Sequence, residues 1–524
     1  MPSIKSIEFA GFLYIIFSGL FFHVFAFPEI IKAFFALPSL GLIPYLFGKG
    51  LFFILNRFFS VREELNVVSR FLYFWFVGFF SLFVTGYVLL LKTFNMPLYL
   101  TVIFIVCGLG TIPKNKVSLK KELQFLSGDY RLFLITIALG LVPILITKYY
   151  TEFPLVVHTD WMSIPIDYKS IIQTTQYGII TPFGVDHLCS RNLLNAVISL
   201  IFNIDPLSLL WCLPFILPPI VAASSFLFSY LISKKTEIAL IAGIVSSLLL
   251  SGTQSTDFPI KYNAGSIVFA LFPLLIYLAY SFFKDRFENK NITGIQSLWG
   301  TLATITIIWL VLKYLEMNNT NWKSDSPLLI TCQLIFTTSF VILFLARYIP
   351  ILKNYLNPYF LAGGLTLLVI HTFYAIYYVF IISCFLSIHW LLMKKQKLKI
   401  ILFLFVAFTF FYIFLQLIGL FYVPNINLIS SHLFSTLPPY DLFVKFEWLT
   451  NAIGVINIIF ISIGGLFLLL GKNEDISVIS ILSLILFFYF SPEAWSYRFL
   501  NASVPFIAYA IAHTISKIKL NLKR

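Results

Sequence analysis

Residues 399–423 read KIILFLFVAFTFFYIFLQLIGLFYV, so that after one lysine no charged side chain occurs for 24 positions. A bilayer's hydrocarbon layer is about 30 Å thick, and an α-helix rising about 1.5 Å per residue crosses it in about 20 residues. The run is long enough to cross. Runs of the same kind recur on both sides of it, at 70–91, 236–252, 264–283, 327–347 and 451–471. Reading outward in this way predicts about fifteen spans. A transmembrane β-barrel demands strict alternation in segments of about ten residues, and these continuous Leu, Ile and Phe runs do not alternate. The sequence therefore predicts an all-α, polytopic integral membrane protein.

Composition agrees. The chain is 59% hydrophobic and 11% charged, with 60 Phe among 524 residues, whereas a soluble domain carries roughly 25% charged residues. The first apolar run, 8–27, has no small-residue cleavage site after it and reads as a retained span. The net charge of +14 comes from Lys and Arg in short loops between spans. That is the positive-inside pattern of a membrane protein, and it implies lipid as a partner and no nucleic acid. Cys107, Cys189, Cys212, Cys332 and Cys384 form no CxxC pair and no disulfide framework.

The densest basic segments, Lys114–Arg131, Lys394–Lys399 and Lys517–Arg524, are expected on the cytoplasmic side. Four apolar runs separate the last two, which places 424–448 and Ser491–Arg498 on the opposite face. Between Arg131 and Lys234 lie three runs, 132–148, 189–203 and 206–232. An even number of crossings is needed there, so one run does not cross. The run 189–203 is short, and Pro214, Pro218 and Pro219 interrupt 206–232. This choice puts Asp257 and Lys261 outside; three crossings would put them inside. The layout expected is a four-helix membrane region over 1–112, a basic cytoplasmic loop over 113–131, and a larger membrane module over 132–524 with an extracytoplasmic loop at 149–188.

Carboxylates are nearly absent from the middle of the expected spans, where an ion-coupled transporter usually needs one. Ionisable residues crowd into outer loops instead: Glu152, His158, Asp160, Asp167, Lys169, Asp186 and His187, then Asp441 and Glu447, then Glu493 and Arg498. A partly desolvated carboxylate at a membrane surface accepts a proton from a hydroxyl or holds a hard cation. The same pattern also describes a solvated loop with capping aspartates. His23, His371, His389 and His513 sit in or beside apolar runs and read as hydrogen-bonded interior histidines.

The order of these features resembles the GT-C class of membrane glycosyltransferases. The matching pieces are Asp160-Trp161 after a span, Tyr168–Tyr177 ending at Gly178, Pro182-Phe-Gly-Val-Asp186-His187, Leu193–Asn203, Gly363-Gly364-Leu365 before His371, and Glu493-Ala-Trp-Ser-Tyr-Arg498 before Pro505. The resemblance covers about 132–516 and lies in the order of the pieces. Ser163 and Pro165 stand where members of the class often carry a His, which leaves Asp160 and Asp167 in competition for the base. The Trp-Trp-Asp motif of oligosaccharyltransferases is missing.

The resemblance implies transfer of a sugar from a polyprenyl-phosphate donor to a hydroxyl of a glycan, lipid or protein acceptor. It implies Asp160 or Asp167 as the base, and Arg498, Lys261 and Glu493 around the donor's phosphate. A divalent cation, Mg or Mn, is compatible with Asp160, Asp186 and His187. The protein would be a multi-pass component of the cell (plasma) membrane with an extracytoplasmic active face. Two other classes stay open: a transporter or lipid-linked-sugar flippase, for which the proline-broken 206–232 speaks, and an O-antigen polymerase or ligase type of enzyme.

Overall fold

The computed structural model describes residues 4–58, 67–93, 96–112, 130–142, 190–205, 208–209, 212, 215–248, 264–288, 358–370, 455–470 and 497–522, with isolated positions between 378 and 392 and at 478. Among these residues all regular structure is helical and no strand occurs. In chain order the helices are α1 (Ile4–Val24), α2 (Glu29–Ala36), α3 (Ser39–Phe58), α4 (Val67–Thr93), α5 (Met96–Gly110), α6 (Tyr130–Leu139) and α7 (Ser190–Phe202). They continue as α8 (Leu217–Ser233), α9 (Thr236–Leu248), α10 (Ala264–Glu288), α11 (Pro358–Ile370), α12 (Val455–Leu469) and α13 (Tyr497–Leu522).

Among the described residues, two stretches are long and apolar enough to cross a membrane. One is Glu29–Ile54, in which α2 and α3 run together through Leu37 and Pro38; the other is Val68–Gly86 within α4. Further apolar helices of 10–17 residues include Met96–Gly110, Leu217–Ser233 and Thr236–Leu248. The run shown at the outset, 399–423, lies outside the described residues.

The chain divides into two compact units, each drawn from separated stretches. Unit 1 takes Met1–Gly128, Pro154–Ile216 and Ser281–Ile376. Its first helices are held by glycines. A Cβ added to Gly48 would fall within 3.0 Å of the Phe74 carbonyl and of Gly78, and one added to Gly110 would strike the Leu46 carbonyl. Backbones that approach this closely admit no side chain between them, a place only glycine fills. The helix α7 lies among the same helices. Gly19 of α1 sits against the Ile201 carbonyl, and Gly86 of α4 against Leu193.

The short run 189–203 of the sequence becomes α7, 13 residues long, or about 20 Å at the α-helical rise. It ends in a left-handed residue, Asn203, with φ 50°. The Ile204 N–H then donates to the Ser199 carbonyl at 2.9 Å, the bond that closes a Schellman cap. Asparagine tolerates this conformation better than most side chains.

Unit 2 takes Asp129–Phe153, Leu217–Tyr280 and Tyr377–Arg524. Pro218 and Pro219, which interrupt the apolar run in the sequence, fall in the first turn of α8, where a missing N–H costs nothing. A tight turn at Lys234, with φ 55°, folds α9 back along α8, and Ser246 of α9 donates to the Val221 carbonyl at 3.4 Å. The pair α6 and α8 is antiparallel as well. Gly140 near the end of α6 lies against Pro218 and Pro219, while the rings of Phe133 and Phe226 meet at 5.5 Å. Glu237 at the start of α9 pairs with Lys519 near the end of α13 at 3.5 Å. One end of unit 2 therefore gathers Arg131, Lys234, Lys235 and Lys519.

Candidate functional site

Asp160, Asp167, Asp186, His187, Lys261 and Glu493 all lie outside the described residues. Of the residues expected to act on the donor, the structure positions one. Arg498 is the second residue of α13, a helix whose opening turn is marked by the aromatic Tyr497. The first N–H groups of a helix have no intrahelical acceptor and carry a partial positive charge, so this register suits an anion. From Arg498 to Lys519 is 21 residues, about 31 Å at the helical rise. The arginine and the basic end of unit 2 are thus separated by roughly the thickness of a hydrocarbon layer.

Besides the Glu237–Lys519 pair, three meetings of ionisable side chains among the described residues bear on the site. In unit 1 Glu8 of α1, 5% exposed, accepts a hydrogen bond from the Tyr45 hydroxyl at 2.5 Å and is ion-paired with Lys49 of α3. Lys49 lies inside the candidate span Glu29–Ile54. Sequence reasoning missed this pair. The available signal was a lone lysine within an apolar run and a lone glutamate at the mouth of another.

The second cluster joins α2 to the end of α7. Lys32, 6% exposed, donates to Glu29 Oε1 at 2.8 Å and to the Asn203 carbonyl at 3.0 Å. Glu29 Oε2 in turn accepts the Asp205 N–H at 2.8 Å. Beside them His23 Nε2 lies 3.1 Å from the Leu200 carbonyl. Two of these contacts, Lys32 to the Asn203 carbonyl and the Asp205 N–H to Glu29, fasten α2 onto the C-terminal end of α7, and His23 adds one from the end of α1.

The third lies in unit 2, where His389 Nε2 and the Tyr280 hydroxyl are 3.1 Å apart and buried. Phe385 lies over both, its ring 5.3 Å from that of Tyr280. His389 is thus the buried, hydrogen-bonded histidine that its apolar surroundings predict, whereas His23 is hydrogen-bonded but exposed rather than interior; His513 is buried, and His371 lies outside the described residues. Cys107, Cys212 and Cys384 are buried free thiols. No group of three or more His, Cys, Asp or Glu that could hold a metal occurs among the described residues, and the expected ligands Asp160, Asp186 and His187 are not among these.

Comparison with protein families, with characterised proteins and with solved structures finds no match to this chain.

Proposed function

We propose that the chain is a polytopic membrane glycosyltransferase of the GT-C kind, moving a sugar from a polyprenyl-phosphate donor to an acceptor hydroxyl at the extracytoplasmic face of the cell membrane. The observation that carries the chemistry is the register of Arg498 in the first turn of α13, about 31 Å along that helix from Lys519. It accords with the order of pieces in the sequence, from the Asp160 loop to the Glu493–Arg498 string. The membrane part of the reading draws on the two long apolar stretches and on the basic residues gathered at one end of unit 2.

In this reading Asp160 or Asp167 takes the proton from the acceptor hydroxyl as its oxygen attacks the anomeric carbon. The bond from that carbon to the phosphate oxygen breaks, and its electron pair leaves with the lipid phosphate. A positioned base contributes about 10²–10⁴-fold. Arg498 holds the departing phosphate, since a planar, permanently charged guanidinium pairs two oxygens at once. Lys261 and Glu493 complete the donor's surroundings. The donor set Asp160, Asp186 and His187 is rich enough in oxygen for Mg or Mn, which would supply further charge against the phosphate.

A transporter or flippase is favoured by one observation, the ion pair that Lys49, inside a candidate span, makes with Glu8 of α1, since ionisable residues there often line a transport path. Variants separate the two readings. In membranes holding the folded protein, transfer of radiolabelled sugar falls at least 100-fold in Asp160→Asn or in Asp167→Asn, and Arg498→Ala raises the donor concentration needed. Flux of substrate into vesicles without any transfer would overturn the proposal.

A further inference from the structure

We infer that the elbow between α1 and α2 is a lipid-contact surface that takes phospholipid acyl chains just below the headgroups. The inference rests on the membrane part of the reading above and on nothing in its chemistry. Residues 24–28 read VFAFP, and every one is exposed, Val24 at 73% and Phe25 at 54%. A loop in water is polar and puts such residues inside. Here the tip of the elbow offers only apolar side chains.

The helix α2 continues the surface and inverts the usual arrangement. Its cation, Lys32, is 6% exposed and spends its hydrogen bonds on Glu29 and the Asn203 carbonyl. Ile30, Ile31, Phe34 and Phe35 point the other way and are 40–51% exposed. An eight-residue helix that buries its lysine and shows two Ile and two Phe has the polarity that an apolar solvent selects. The orientation is fixed from inside the unit, because Phe22, 4% exposed, packs its ring on Phe27 and Phe35 at 5.7 Å each.

Depth follows from the backbone. Residues 26–28 are not helical, and irregular backbone exposed to lipid is excluded from the middle of the hydrocarbon. The tip therefore reaches the upper acyl region, as interfacial helices do. Exposure of all five residues 24–28 at a protruding turn fits many mobile chains better than one complementary protein face.

The test is photocrosslinking from p-benzoylphenylalanine placed at Phe25, Phe34, Phe22 or, in unit 2, at Ile459, which is 53% exposed on α12. The full chain is reconstituted in phosphatidylcholine vesicles, and adducts are read by mass spectrometry. Phospholipid adducts several-fold more abundant at Phe25 and Phe34 than at the buried Phe22 are expected. A crosslinked dimer at Phe25, or reduction of the benzophenone without an adduct, would overturn the inference. Lipid adducts at Ile459 but not at the elbow would overturn it and leave the membrane reading standing; adducts at no position would sink both.

Discussion

Removing either partner of the Glu8–Lys49 pair leaves a charge inside a helix bundle, and the two losses are expected to differ. The Glu8 side chain is 6% exposed and that of Lys49 is 21% exposed. In Lys49→Met the carboxylate keeps only the Tyr45 hydroxyl, and stripping a buried charge of its partner costs about 3–5 kcal/mol. In Glu8→Gln the ammonium can move along its four-carbon stem toward the surface, so the loss is smaller, about 1–2 kcal/mol. The double variant Glu8→Gln, Lys49→Met holds no charge there, and its amide still accepts from Tyr45. It should recover to within about 1 kcal/mol of the wild type. The coupling expected from a double-mutant cycle is about 3 kcal/mol or more, roughly 150-fold in the unfolding equilibrium constant. Reversible unfolding in bicelles measures it. Additive losses, with the double variant worse than either single one, would refute the claim that the two charges exist for each other.

Three further outcomes follow from particular contacts. Gly78→Ala should lower the yield of folded protein and its thermal midpoint sharply, by at least the 1–3 kcal/mol typical of overpacking, because the new methyl meets the Pro44 carbonyl and the backbone of Gly48; a midpoint unchanged in detergent contradicts the packing of α3 on α4. Asn203→Val should cost about 1–2 kcal/mol, since a β-branched residue resists φ 50°, whereas Asn203→Gly should be neutral within about 0.5 kcal/mol; equal stability of the two would refute the Schellman end of α7. Single cysteines at Arg498 and Lys519 should be labelled by impermeant maleimide from opposite faces of sealed vesicles, and labelling from one face would contradict the length argument for α13.

The helical class was legible because apolar runs report it directly, and so was α7, whose short run ended at Asn203-Ile-Asp-Pro206. The prolines of 206–232 announced a break whose place the structure supplies, Pro218 and Pro219 in the first turn of α8. Pairings across the chain were not legible. Glu8 and Lys49 stand 41 residues apart, and each alone looks like a charge near the end of a span. Nor does the sequence show that Lys32 turns inward, which it does because Glu29 and a carbonyl freed by the end of α7 partner it there. The candidate site was legible only as an order of motifs, since loop residues such as Asp160 and Asp186 carry no periodicity that fixes where they point. The register of Arg498 could be fixed because it belongs to a helix.

The central claim is sugar transfer from a lipid-phosphate donor, and the wild-type protein tests it most directly. Purified, reconstituted protein is incubated with radiolabelled polyprenyl-phosphate sugars and a mixture of glycan, lipid and protein acceptors, and both the released lipid phosphate and the labelled product are measured. Equal amounts of lipid phosphate and glycosylated acceptor, absent from empty vesicles, are the predicted result. An intact donor carried from one leaflet to the other with no phosphate released would contradict the account.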